Sequence, residues 1–239
     1  MQKRSFYGGQ DPREMPAYGI SELAHYLQIP ASTLRSWVKG RYYSTEAGPK
    51  FFEPLMTLPE PDTGGPPVLS FMNAVEAHVL DALRREHRIA LHKVREALIY
   101  VEQQFPSKYP LADQKFETDG IDLFVDKYGQ LINLTQQGQL AMRSILRVYL
   151  SRIERDTTGM PIKLYLFTRT HIADEPKVIA MDPYVSFGRP VIEGMGITTA
   201  IIAERYKAGK SIEELARDYE CPSPAIQEAI RCELDTKAA

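Results

Sequence analysis

The sequence predicts a mainly α protein with small β elements, an α+β fold in several parts. Three observations carry this. Helix-turn-helix grammar appears at both ends, in "YGISELAHYLQIPASTLRSWVKG" (18–40) and "SIEELARDYECPSPAIQEAIRCEL" (211–234). Between them, apolar residues recur at three- and four-residue spacing, as in amphipathic helices. Alternating or Pro- and Gly-punctuated pieces interrupt those runs and read as strands and turns. The expected division is a tail at 1–17, a winged helix-turn-helix unit at 18–110, a strand-helix-strand segment at 111–180 and a helical unit at 181–239.

Taken in order, Leu23, Ala24 and Leu27 share one helical face and can pack on Leu34 and Val38 of a second helix. Ala24 is small enough to let the two helices approach. Trp37, the sole tryptophan, is expected in the core between helix and wing. "RYYSTEAGPKFFEPLMTLPEPDTGGPPVLSF" reads as a hairpin wing followed by a loop at "PEPDTGGPP". Val75, Val79 and Leu83 then mark a helix, and after a break near "EHRIA" so do Leu91, Val94 and Leu98. "PSKYP" interrupts the chain. "KFETDGIDLFVDKYGQLINLT", with its "DG" and "YGQ" turn signals, reads as a pair of strands. A helix over 136–155 follows, with Leu140, Ile145, Val148 and Ile153 near one face, and then a strand at "IKLYLFTR". "VIAMDPYVSFGRPVIEGMGITT" is extended, and helices begin near Thr198, Ser211 and Ser223. Ser211 and Glu214 satisfy a capping box, and Ser223 is placed to cap the last helix.

Composition is that of an ordinary globular chain, 44% hydrophobic and 25% charged, with net charge −2. No apolar run suits a membrane span and the first residues lack the apolar core of a signal peptide, so a cytoplasmic location is the default. Cys221 and Cys232 are expected as free thiols. The first 110 residues carry 13 Lys and Arg against 12 Asp and Glu, and the rest is more acidic. Any nucleic-acid contact is therefore expected in the N-terminal part, through a local patch. The second helix of the first motif offers Ser32, Thr33, Arg35, Ser36 and Lys39, and the wing offers Arg41 and Tyr42. Hydroxyls and cations on such a helix reach phosphates and base edges in a major groove. The competing reading is a plain three-helix core without DNA. On the last helix Gln227, Glu228, Arg231 and Glu233 are the expected surface, too acidic for phosphates, which points the second motif toward protein.

Gly8-Gly9-Gln10 matches a release-factor tripeptide too short to carry weight. His87 and His92 lack the spacing of metal ligands on one helix face, and Asp119, Asp122 and Asp126 lack that of a calcium loop. No catalytic constellation appears; neither a cofactor nor a metal is expected.

The first motif resembles the MerR-type winged helix-turn-helix, through Glu22, Leu23, Ala24, Leu27, Ile29, Ser32, Thr33, Leu34, Arg35 and Trp37, with Arg41 and Tyr42 in the wing. Pro30 stands where that family often places a capping Ser. The stretch from Asp182 to about Ile230 resembles the small helical family called domain of unknown function 433, with Met195 in place of the usual Thr. The combination resembles the larger VapB-like antitoxins of type II toxin–antitoxin pairs. That resemblance implies operator DNA as one partner, a small PIN-like ribonuclease toxin as another, and repression of its own operon. Two heads on half-sites about 34 Å apart imply a homodimer, through the helices at 71–105 or the helix at 136–155. Against the carboxylates of such a toxin, Arg189, Arg205 and Arg231 are the candidate contacts, unless Arg189 pairs with an acid such as Glu193. A regulator that senses a small molecule through its middle segment, and a purely architectural protein, are the alternatives.

Overall fold

The computed structural model describes residues 9–45, 48–59, 68–86, 91–169 and 175–234. It is an α+β fold in which helices predominate. β1 (Tyr18–Gly19) leads into α1 (Ile20–Tyr26) and α2 (Ala31–Lys39). β2 (Arg41–Thr45) and β3 (Gly48–Phe52) form the antiparallel wing, and β4 (Val68–Leu69) returns to pair with β1. The loop expected at "PEPDTGGPP" and the break at "EHRIA" fall largely outside the described residues. α3 (Phe71–Glu86) and α4 (Leu91–Gln104) follow. α3 is buried on almost every side, because it packs on the head, on the middle helices and on the sheet.

The expected strand pair at 115–135 is instead a π-helical turn (Phe116–Gly120) running into α5 (Ile121–Ile132). The buried set Ile121, Phe124, Val125 and Tyr128 has helical spacing. The two glycines that resembled turn signals sit inside helix. A Cβ on Gly129 would lie 2.9 Å from Gln139 Nε2, and one on Gly120 would lie 3.0 Å from the Phe116 ring. They mark close approach rather than chain reversal.

α6 (Gln136–Leu150) is capped by Thr135 and stops five residues before the expected end. Ile153–Arg155 is a strand, β5, not a last turn of helix. The inward face of α6 is Met142, Leu146, Tyr149 and Leu150, and Leu140 is 65% exposed. Arg152 terminates the helix. It is buried, lies 4.7 Å over the Phe167 ring, and donates to the carbonyls of Tyr165, Leu166, Glu175 and Pro176. Burial holds its guanidinium below its ordinary range.

β5, β6 (Pro161–Tyr165), β7 (Ile179–Met181) and β8 (Val191–Ile192) make one antiparallel meander in sequence order. α7 (Thr199–Lys207), α8 (Ile212–Asp218) and α9 (Ser223–Glu233) close the chain. Ser211 and Glu214 form the expected capping box. Ser223 makes no cap: Pro222 holds the N-cap position, and its carbonyl takes the amides of Ala225 and Ile226. Met195, in the turn after β8, gives its side chain to the core. One apolar cluster runs from Tyr18 to Cys232 through the helices, the four-stranded sheet and the β1–β4 pair, and takes no residue from the two wing strands.

Candidate nucleic-acid interface

α1 and α2 meet through Leu23, Ala24, Leu27, Leu34 and Val38, all buried as their spacing implies. Pro30 supplies no side-chain cap to α2, and its carbonyl accepts from Thr33 and Leu34 instead. Trp37 is buried in the main core, and its carbonyl accepts from the Leu55 amide, just past the wing, at 2.8 Å. With Leu34, Trp37 and Val38 turned inward, Ser32, Arg35 and Lys39 point to solvent, and Thr33 is half-buried. Ser36 is a correction: it is buried, and its hydroxyl donates to the Thr33 carbonyl at 2.8 Å, so it is not available to a ligand.

Gly40 converts the end of α2 into the wing. Its φ of 71° lies in the left-handed region, and a Cβ there would stand 2.2 Å from the Phe52 carbonyl oxygen. The turn brings Arg41 and Tyr42 directly after Lys39. Tyr42 is 76% exposed and faces Phe51 across the hairpin, ring centroids 5.0 Å apart. Lys50, exposed on β3 opposite Tyr43, adds a cation that the motif-based reading missed. Its signal was available: once the hairpin register is drawn, Lys50 pairs with Tyr43 on the face of the ladder that also carries Arg41.

Arg35, Lys39, Arg41 and Lys50 make no ion pair with any described residue. Elsewhere the arginines are largely neutralised within the fold. Arg13 sits between Asp11 and Asp156, Arg143 between Asp122 and Asp126, and Arg155 against Glu117. The head thus displays cations that no described acid neutralises, and the wing carries an exposed aromatic pair on the face of its ladder opposite Arg41 and Lys50.

The three arginines expected at a partner surface are spread apart and each is already held. Arg205 pairs with Asp218 and lies 5.1 Å over the Tyr219 ring. Arg231 reaches the buried Glu228, which also receives Arg169 and the Thr168 hydroxyl. These cations hold the Glu228 carboxyl below its ordinary range despite its burial. Glu228 is therefore a correction as well, an internal anchor rather than surface. Arg189 pairs not with Glu193, which takes Lys163 at 2.8 Å, but with Glu22 on α1.

That last pair belongs to a seam between the two ends of the chain. The Tyr18 hydroxyl, buried, donates to the Gly188 carbonyl at 2.9 Å. A Cβ on Gly188 would stand 2.1 Å from that hydroxyl, and φ there is +76°, so glycine is required twice over. His25 on α1 lies 3.8 Å from Glu233 on α9, whose carboxylate also accepts from the Thr199 hydroxyl. Spacing within either motif could not reveal contacts across some 170 residues.

The comparisons with known proteins follow the same two ends. Residues 16–98 match a family model described as "Putative DNA-binding HTH domain". Residues 179–231 match the family described as "Protein of unknown function (DUF433)". Among curated proteins, "Putative antitoxin VapB45" of Mycobacterium tuberculosis is 26% identical over 91% of this chain and 93% of its own length. "Uncharacterized protein Rv2308" of the same organism is 25% identical over 89% and 88%. A crystal structure of Rv2018 from Mycobacterium tuberculosis shares the fold, with a TM-score of 0.69 at 24% identity over 90% of this chain and 98% of that one. Among the described residues no helix is long and apolar enough to cross a membrane. The chain thus joins a match to a DNA-binding-type helix-turn-helix domain at its head to a DUF433 match at its tail, and resembles a VapB-named antitoxin along nearly its whole length.

Proposed function

We propose that this protein is a DNA-binding antitoxin that neutralises a small PIN-like ribonuclease toxin by direct binding and represses the operon encoding both. One observation carries the DNA half: on α2 and the wing of the helix-turn-helix head, Arg35, Lys39, Arg41 and Lys50 have no acidic partner among the described residues. In this reading α2 enters the major groove, Ser32, Thr33, Arg35 and Lys39 face it, and Arg41 and Tyr42 follow the adjacent backbone. The antitoxin half is supported by the whole-length likeness to the VapB-named relative. Since α3 is consumed inside the fold, the open groove along α6, lined by Leu140, Ser144, Arg147 and Val148, is the proposed dimer surface.

A mobility-shift titration against the DNA upstream of the gene tests the reading. Wild type should bind two chains per site. Arg35→Ala should weaken binding and reduce the salt slope by about one counterion. An Arg35→Ala chain that binds with unchanged affinity and slope would remove α2 from the interface.

A further inference from the structure

The turn between β7 and β8 holds three successive residues at positive φ: Ser186 at 46°, Phe187 at 54° and Gly188 at 76°. Gly188 is explained by the approach of Tyr18, and Ser186 donates its hydroxyl to the Gly196 carbonyl at 3.1 Å. Phe187 has no such compensation. A bulky L side chain is disfavoured in the left-handed region, and no burial offsets this, because the ring is 80% exposed. It makes no ring contact with any described residue. Stability alone would favour glycine here. Strain of this kind persists where a displayed side chain has a use.

The ring borders a cavity of about 190 Å³ walled by Pro12, Pro16, Pro183 and the Tyr18 ring. Tyr184, next in sequence to the lining residue Pro183, is 55% exposed. Asp182 accepts the Tyr184 amide at 2.8 Å, and Asp11 and Asp156, which hold Arg13 between them, act on the Tyr184 phenol electrostatically. Asp11 and Asp156 are more exposed than the Arg13 guanidinium they hold. Arg189, at the cavity's edge, is neutralised by Glu22. Among the described residues the surroundings are therefore net negative and would repel phosphate. Aromatic faces beside carboxylates attract guanidinium and ammonium groups.

We propose that Phe187 and Tyr184 form the docking surface for a basic protein segment, one that presents Arg or Lys beside an apolar side chain entering the cavity. Resting on the antitoxin reading, that segment belongs to the toxin. An enzyme that grips RNA must expose cations to phosphates, and rings flanked by carboxylates compete for the same cations.

The test uses the full chain, the purified product of the adjoining reading frame as probe, and titration calorimetry at two salt concentrations. Wild type should bind, more weakly at high salt. Phe187→Gly should raise the melting temperature, since it removes the strain, and yet weaken binding about tenfold or more. Tyr184→Ser should weaken binding with little change in melting temperature. No binding to wild type or to a chain lacking residues 1–8 would sink the antitoxin reading and this surface together. Wild-type binding that Phe187→Gly leaves unchanged would spare that reading and overturn the surface. So would a Phe187→Gly chain that melts earlier, which would make the ring structural. Binding seen only after removal of residues 1–8 would make the chain's own amino terminus the occupant and overturn the proposal as well.

Discussion

At the scale of single residues, the informative side chains are those whose surroundings contradict their chemistry. Glu76 lies in the middle of α3, buried, with one carboxylate oxygen lacking a hydrogen-bond partner among the described residues. Asn73 and the backbone of Leu111 serve the carboxyl, but burial outweighs them and pushes it up to about 8. Between its ordinary value and 8 the folded chain keeps a proton that the unfolded chain has released. Its contribution to stability is therefore complete below the ordinary value and is lost as pH rises toward 8. Glu76→Gln, which keeps the shape without the charge, should leave stability near pH 5 little changed and add about 1–3 kcal/mol at pH 8. Urea unfolding of both chains at the two pH values checks this, and a variant destabilised equally at both would refute it. At this scale much of the candidate interface was readable beforehand. Arg35, Lys39, Arg41 and Tyr42 are exposed as their spacing implies. Ser36 was misplaced because a hydroxyl can satisfy itself on the preceding turn and then tolerate burial. The pairing of Arg189 was unreadable for another reason: Glu22 is distant in sequence, and several nearer acids were equally plausible.

At the scale of elements, periodicity succeeded where it stood alone and failed where glycine seemed to overrule it. The helices from α1 to α4 and from α7 to α9 follow their apolar spacing. The 115–135 stretch has the same spacing, but "DG" and "YGQ" suggested turns; Gly120 and Gly129 in fact let a ring and a glutamine side chain approach helix backbone. The end of α6 was invisible because Arg152, ordinarily a good helix former, here spends its donors on four carbonyls of the sheet and its preceding loop. The two serines of the tail separate a cap that is made from one that is only possible. Ser211 accepts the Glu214 amide at 3.1 Å, and its own amide donates to the Glu214 carboxylate at 2.8 Å. Ser211→Ala should cost about 1 kcal/mol, whereas Ser223→Ala should fall within about 0.5 kcal/mol of wild type. Denaturation midpoints of the two variants decide it, and equal losses would restore Ser223 as a cap.

At the scale of the molecule, the two motif-bearing ends form one body. Tyr18–Gly188, Glu22–Arg189 and His25–Glu233 join β1 and α1 to the tail. Glu228 joins the tail to the residues that follow β6, and His78 and Asp81 on α3 both reach Tyr149 of α6. Head and tail should therefore lose structure together. Trp37 reports the head through its fluorescence, and the buried thiol of Cys232 reports the tail through its reactivity. In a urea titration the two transitions should coincide, and a head that melts at distinctly lower urea would show that the seam does not couple them.

The Tyr18–Gly188 bond also has a consequence in time. Its two residues stand 170 positions apart. During synthesis at about 5–20 residues per second, Tyr18 and Glu22 wait roughly 10–30 s for the segment that completes their surroundings. The helix-turn-helix head is thus among the first parts of the chain to leave the ribosome and among the last to be finished, and a nascent or truncated chain would carry its cations on a scaffold not yet set.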